Sequence, residues 1–146
     1  MNMKRVNYLK LEFPARSANE ALARTAVAAL AAQMDPTLDE LGDIRTAVSE
    51  AVTNVIVHAY PDAVGTVWLR ARILEGDELE ITVKDKGKGI EDVAKARQPL
   101  FTTGGEDRSG MGFTIMESFT DRMRVKSAPG KGTTVTLLRR IRRKQG

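Results

Sequence analysis

The sequence predicts an α+β fold, a two-layer sandwich in which one mixed, mostly antiparallel sheet carries helices on one face. Three observations lead there. Two segments in the first half place apolar residues at helical spacing behind helix-start signals. Runs that alternate with a period of two lie before and after them, and tight turns join the later runs into hairpins. At 146 residues, 42% of them hydrophobic, the chain is long enough for one sizeable core and too short for two, so a single domain over 1–146 is expected.

Each element has its own signal. Residues 7 to 13 put Leu9, Leu11 and Phe13 on one side and Tyr8, Lys10 and Glu12 on the other, as a half-buried strand would. Ser17-Ala18-Asn19-Glu20 has the spacing of a capping box, in which a serine hydroxyl and a glutamate three residues on satisfy each other's free amides. It predicts an alanine-rich helix to about Met34. Thr37 to Glu40, after Pro36, opens a longer helix that Pro61 must have ended. A hairpin follows: Val67, Leu69, Ala71 and Ile73 share one face, Glu75-Gly76-Asp77 turns the chain, and Leu79, Ile81 and Val83 share a face of the returning strand. Beyond a glycine-rich region lies a helix from about Gly112 to Phe119. Strands near Met123 to Ser127 and Thr133 to Leu138 are joined by Pro129-Gly130-Lys131-Gly132.

Composition narrows the class of protein. With no cysteine, disulfides and thiolate metal sites are excluded, which is compatible with a reducing cytoplasm. The opening MNMKRVNYLKLEF carries charges where a signal peptide needs apolar residues, and no apolar segment approaches the roughly 18 residues that span a bilayer. A soluble cytoplasmic protein without a membrane partner is expected. Arg139, Arg140, Arg142, Arg143 and Lys144 lie in a short basic tail (139–146), and without those five charges the net falls from +4 to −1. The body is not basic. A solvated end is therefore the expectation for the tail, and no direct nucleic-acid partner is expected; salt-sensitive DNA binding through it is the lesser alternative.

In the second helix, Leu41, Ile44, Val48, Val52, Val55 and Ala59 form the apolar stripe. Glu50 and Asn54, four apart, share another face one turn above each other. A carboxylate and an amide so placed can meet a metal and a reacting group together, although such a pair is also ordinary solvated surface. If Leu79, Ile81 and Val83 face the core, the period of two aims Asp85 inward as well. A buried carboxylate needs a partner: a hydrogen bond within the following turn is one reading, an exocyclic amino group such as adenine's is the other. Gly87 and Gly89 follow directly and leave no side chain in the way of an approaching ligand.

A second bare stretch, Ser109-Gly110-Met111-Gly112, stands where a helix begins, and free amides at the positive end of a helix dipole favour phosphate. The sequence contains neither G-x-x-x-x-G-K-[ST] nor the strand and helix context of a dinucleotide G-x-G-x-x-G. Thr133 has the parity of Val135 and Leu137, so an inward aspartate and an inward threonine form a plausible pair for reading a base.

These pieces resemble the nucleotide site of the GHKL superfamily, the Bergerat ATP-binding fold shared by type II topoisomerases and histidine kinases. The strings SEAVTNVIVHAY, ARQPLFTT and RSGMGFTIME are similar, over almost the whole chain, to the anti-sigma factor serine kinases of spore-forming bacteria, the anti-sigma-F family in particular. The resemblance implies Glu50 as general base and Asn54 as the residue holding Mg²⁺ against the phosphates of ATP or ADP. It implies Asp85 as acceptor of the adenine amino group, with Thr133 assisting through water, and Gly87, Gly89, Gly110 and Gly112 flanking the nucleotide. The segment from about Gln98 to Gly110 matches a mobile lid, Arg108 matches a lid arginine near the terminal phosphate, and Thr102, Thr103, Ser109, Met111 and Phe113 match further nucleotide contacts.

The implied partners are sporulation sigma factor F, which the protein would inhibit, an anti-anti-sigma protein phosphorylated on serine, and a second copy of the chain in a homodimer. Arg24 is the implied partner contact. Lys86 and Lys88 make the turn after Asp85 more basic than the family pattern, and Gly104-Gly105-Glu106-Asp107 inserts glycines into the lid. A general-stress anti-sigma kinase would share every catalytic residue named, an ATP-dependent binding module without kinase activity would share the cleft, and a histidine kinase catalytic domain is the rival in which His58, the one histidine, would matter.

Overall fold

The alternating runs form five strands, β1 (Arg5–Pro14), β2 (Thr66–Leu74), β3 (Glu78–Asp85), β4 (Arg122–Ala128) and β5 (Gly132–Arg140). The computed structural model describes residues 5–98 and 112–142. The helices are α1 (Ala18–Ala31), α2 (Leu38–Asn54), α3 (Val93–Ala96) and α4 (Gly112–Ser118), with a 3₁₀ turn at Ala32–Met34 and a π turn at Val55–Ala59. The strands order as β1-β2-β3-β5-β4. All four pairings are antiparallel, so the sheet is not mixed as anticipated. Two helices separate β1 from β2 and bring the chain back to where β1 ended, so that Thr66 enters beside Pro14 and runs the other way.

Strand parity decides which face is covered. Phe13, Val67, Leu69, Ala71, Leu79, Ile81, Val83, Val135 and Leu137 are buried on one face, beneath α1 and α2. Ala23, Val27, Leu30 and Ala31 of α1 and Ile44, Ala47, Val48, Ala51 and Val52 of α2 complete this core. The alanine-rich side of α1 thus lies inward, where small side chains let the helix come close; truncating one of the large core residues to alanine typically costs about 2–5 kcal/mol. Lys10, Glu12 and Lys84, on the opposite parity, are exposed.

Two local expectations change. At α2 the capping box forms as predicted: Thr37 Oγ1 accepts from the Glu40 amide at 3.0 Å and Glu40 Oε1 from the Thr37 amide at 2.9 Å. At α1 it does not form, since Ser17 has helical dihedrals (φ −54°, ψ −36°) and makes no side-chain cap bond. Glu20 is drawn away to Arg24, 2.9 Å off, and to the Ser49 hydroxyl on α2, and a cation plus a hydroxyl is a stronger attraction for a carboxylate than one free amide. Of the basic tail, residues 139–142 are not simply a solvated end, while Arg143 and Lys144 lie outside the described residues. Arg139 and Arg140 complete β5, Arg139 pairs with Asp43 at 3.1 Å, Ile141 is buried, and the Arg142 amide donates to Glu40 at 2.6 Å.

Candidate functional site

The carboxylate that parity aimed inward is the centre of the site. Asp85 ends β3 in register with Val67 and Thr133 and is only 4% exposed. Burial pushes its pKa above the usual aspartate value, while the amides of Gly87 and Thr133 act against that rise. Gly87 donates to Asp85 Oδ1 at 2.9 Å, so the local turn reading of Asp85 is satisfied at one oxygen.

The loop after Asp85 is held down on both sides. Lys88 donates its amide to the Ala59 carbonyl at 2.8 Å, and Gly130 donates to the Lys88 carbonyl at 2.7 Å. A Cβ on Gly87 would fall 2.1 Å from the Ala59 carbonyl oxygen, and one on Gly89, at φ +75°, would fall 1.9 Å from that of Ala128. Backbone against backbone cannot yield, so both positions demand glycine for the loop's own packing. The side chain of Lys86 turns away, its ammonium 4.9 Å from the centroid of the outward Trp68 ring.

Helix α2 supplies the other wall. Glu50 and Asn54 are half-buried at its C-terminal end, one turn apart. The chain then widens into the π turn, a distortion that recurs at functional sites. Here its consequence is visible: Ala59 at the end of that turn is the residue that meets Gly87 and Lys88. Tyr60 braces the same junction, its hydroxyl donating to the Thr66 carbonyl at 2.7 Å and accepting from the Lys86 amide at 2.8 Å. At the other end of the glycine-rich segment, a Cβ on Gly112 would lie 2.8 Å from Asn54 Oδ1, so the start of α4 rests against the Asn54 amide.

Two groups of the predicted residues are thus in contact, Asn54 with Gly112 and Asp85 with Gly87 and Thr133, and the π turn from Val55 to Ala59 links the first to the second, with Glu50 one turn along α2. Phe113 is half-buried and packs against the core. Arg24 stands apart, bonded to Glu20 on α1, and Glu20 in turn ties α1 to Ser49, beside Glu50. His58 is half-buried within the π turn. Thr102, Thr103, Arg108, Ser109, Gly110 and Met111, with all of the lid but Gln98, lie outside the described residues.

Sequence reasoning missed Tyr60 and Ser127. Ser127 Oγ is 2.7 Å from Thr133 Oγ1 and 3.0 Å from the Gly132 carbonyl, and it accepts from the Ile90 amide at 2.8 Å. Its signal was present as a serine on the inward parity of Met123 and Val125.

The donor set is suited to a nucleotide. A buried acceptor beside a hydroxyl can read a base. An amide oxygen and a carboxylate one turn apart are hard oxygen ligands of the kind that share Mg²⁺ with phosphates. Among the described residues no group of three or more His, Asp or Glu could hold a metal ion.

Known proteins align with this chain over nearly its full length. Residues 13–139 match the family described as Histidine kinase-like ATPase domain. A relative named Anti-sigma F factor from Caldanaerobacter subterraneus subsp. tengcongensis is 56% identical over 94% of this chain and 96% of its own length. Another of that name from Thermoanaerobacter sp. is 52% identical over 95% and 97%. The structure of the RsbU and RsbW domains of a Mycobacterium tuberculosis protein superposes with a TM-score of 0.70 at 21% identity, covering 93% of this chain and 33% of that one, a likeness of fold.

Proposed function

The chain belongs to the anti-sigma F factor family of histidine kinase-like ATPase domains, and from that membership we propose that it is an ATP-dependent protein serine kinase that inhibits sigma factor F and phosphorylates a serine of an anti-anti-sigma protein. The observation that carries the proposal is the contact chain running from Asn54 through Gly112 on one side and from Ala59 to Asp85 and Thr133 on the other. It supports a reading in which one cleft has an acceptor for a base at one end and oxygen ligands at the other.

Phosphoryl transfer asks the protein mainly for positioning and charge neutralisation. Asp85 accepts the adenine amino group. Gly87 and Gly89 keep the approach to it bare. Asn54 would hold Mg²⁺, which when bound neutralises phosphate charge. Glu50 takes the proton of the incoming serine hydroxyl, and Arg108 offsets charge at the γ-phosphate. Arg24 on α1 is the proposed contact for the sigma factor, and the inhibitor acts as a homodimer in the cytoplasm. Among the described residues no helix is long and apolar enough to cross a membrane.

A positioned general base contributes about 10² to 10⁴ in rate. Glu50→Gln is therefore expected to cut transfer of γ-labelled phosphate to the partner's serine by a factor in that range, with ATP affinity nearly intact. Unchanged transfer removes Glu50 from the mechanism, and sigma-factor capture without any labelled serine in the wild-type reaction reduces the protein to a binding module.

A further inference from the structure

Ser127 carries three polar contacts on one hydroxyl, and counting protons among them fixes a neighbour's orientation. A serine hydroxyl has one proton and two lone pairs. The Gly132 carbonyl, 3.0 Å away, can only accept, so the Ser127 proton goes there. The Ile90 amide, at 2.8 Å, can only donate and occupies one lone pair. The remaining contact is with Thr133 Oγ1 at 2.7 Å, and the second lone pair is all that Ser127 has left. With the Ser127 proton so placed, Thr133 supplies the proton in that bond. Its hydroxyl then offers the cleft lone pairs only, next to a carboxylate that, when ionised, also only accepts.

We propose that Ser127 is a positioning residue for base selectivity: by taking the Thr133 proton it keeps this end of the cleft acceptor-only, which suits adenine's amino group and opposes guanine, whose O6 would face two acceptors. The inference rests on the reading of the Asp85 end as the base site and adds a residue to it. Ser127 also pins Ile90 and so the loop that follows Asp85. Loss of that anchor alone would weaken every purine nucleotide alike, whereas loss of the proton's direction changes the ratio between them, because a freed Thr133 hydroxyl can turn and donate to O6.

The test is calorimetry of Mg-ATP and Mg-GTP binding to the full-length protein, wild type against Ser127→Ala, with Ser127→Thr as the conservative control. The ratio of ATP to GTP affinity is expected to fall about tenfold in Ser127→Ala, as loss of one proton-specific hydrogen bond would produce, and to be retained in Ser127→Thr. Should Ser127→Ala not fold, Ser127→Cys keeps the volume with a weak donor and acceptor and is expected to shift the ratio the same way. A ratio that stays constant, whether or not both affinities drop, overturns the selectivity role while leaving the adenine site in place. Wild-type protein that binds neither nucleotide overturns the site reading itself, and this inference with it.

Discussion

Asp85 concentrates the electrostatics of the site in one side chain. Its pKa is raised by burial against the opposing amides of Gly87 and Thr133. Between the ordinary aspartate value and that raised value the native state holds more proton than the unfolded chain, so stability falls as pH climbs through this window. Above it the ionised carboxylate sits desolvated, at a cost that an amino group bonded to it would offset. Asp85→Asn is accordingly expected to abolish the stability loss over that window while weakening ATP binding by about tenfold or more. Denaturant titrations from pH 4 to pH 7 and calorimetry with ATP measure the two effects, and a variant that binds ATP as tightly as wild type ends the adenine role. The aspartate was legible in sequence because a strand's period of two is rigid. The Ser17 box was not, because Glu20 had a choice of partners and the better ones stand on another helix.

Helix α2 is held at its start and distorted at its end, and the two features serve different needs. At the start, burial alone would push the Glu40 pKa up, but the amides of Arg142 and Thr37, the Thr37 hydroxyl and the charge of Arg139 outweigh it and hold the carboxyl below the usual range. A lowered pKa of this sign contributes stability above the ordinary glutamate value, and that contribution is lost as pH falls through the lowered one. Glu40→Gln is expected to cost about 1–2 kcal/mol at pH 7, the scale of a lost cap and a charged hydrogen bond, and much less near pH 3. Urea unfolding at both pH values checks this, and an equal loss at both would mean that charge plays no part. At the end, the π turn carries the chain to Ala59, which meets Gly87 and Lys88. Periodicity read the stripe from Leu41 to Ala59 correctly, yet it is blind to this change of winding, since Val55 and Ala59 are buried just as a continuous helix would have them.

At the scale of the whole molecule, the site lies where α2, the β3 end of the sheet and the β4–β5 turn converge. By the proposed function, nucleotide bound there would join segments far apart in sequence, and its binding energy would become stability of the whole fold. At 100 times its dissociation constant a ligand specific for the native state adds about 2.7 kcal/mol. Thermal unfolding with saturating Mg-ATP is expected to move upward accordingly, and with Mg-GTP to move less; no shift with either nucleotide contradicts the proposed function. At the opposite end of the strands, where Glu78 pairs with Arg140, contacts between distant segments also account for the C-terminus, whose basic residues read in sequence as a solvated end. Arg139 reaches Asp43, Arg140 reaches Glu78 and Arg142 reaches Asp121, all acids from earlier segments that composition could not bring near.

By itself the sequence determined the five strands, the helices α1, α2 and α4, their buried faces and the inward aim of Asp85 and Thr133, because helical and strand periods are set by local backbone geometry, whereas the single turn of α3 (Val93–Ala96) is too short to show a period. Only the tertiary structure decided strand order, the partners of Glu20 and Glu40, the π turn against the glycine loop and the hydroxyl pair of Ser127 and Thr133. Those depend on contacts between distant segments, where several polar groups compete for one partner and the winner is fixed by which of them the packed core brings within hydrogen-bonding distance.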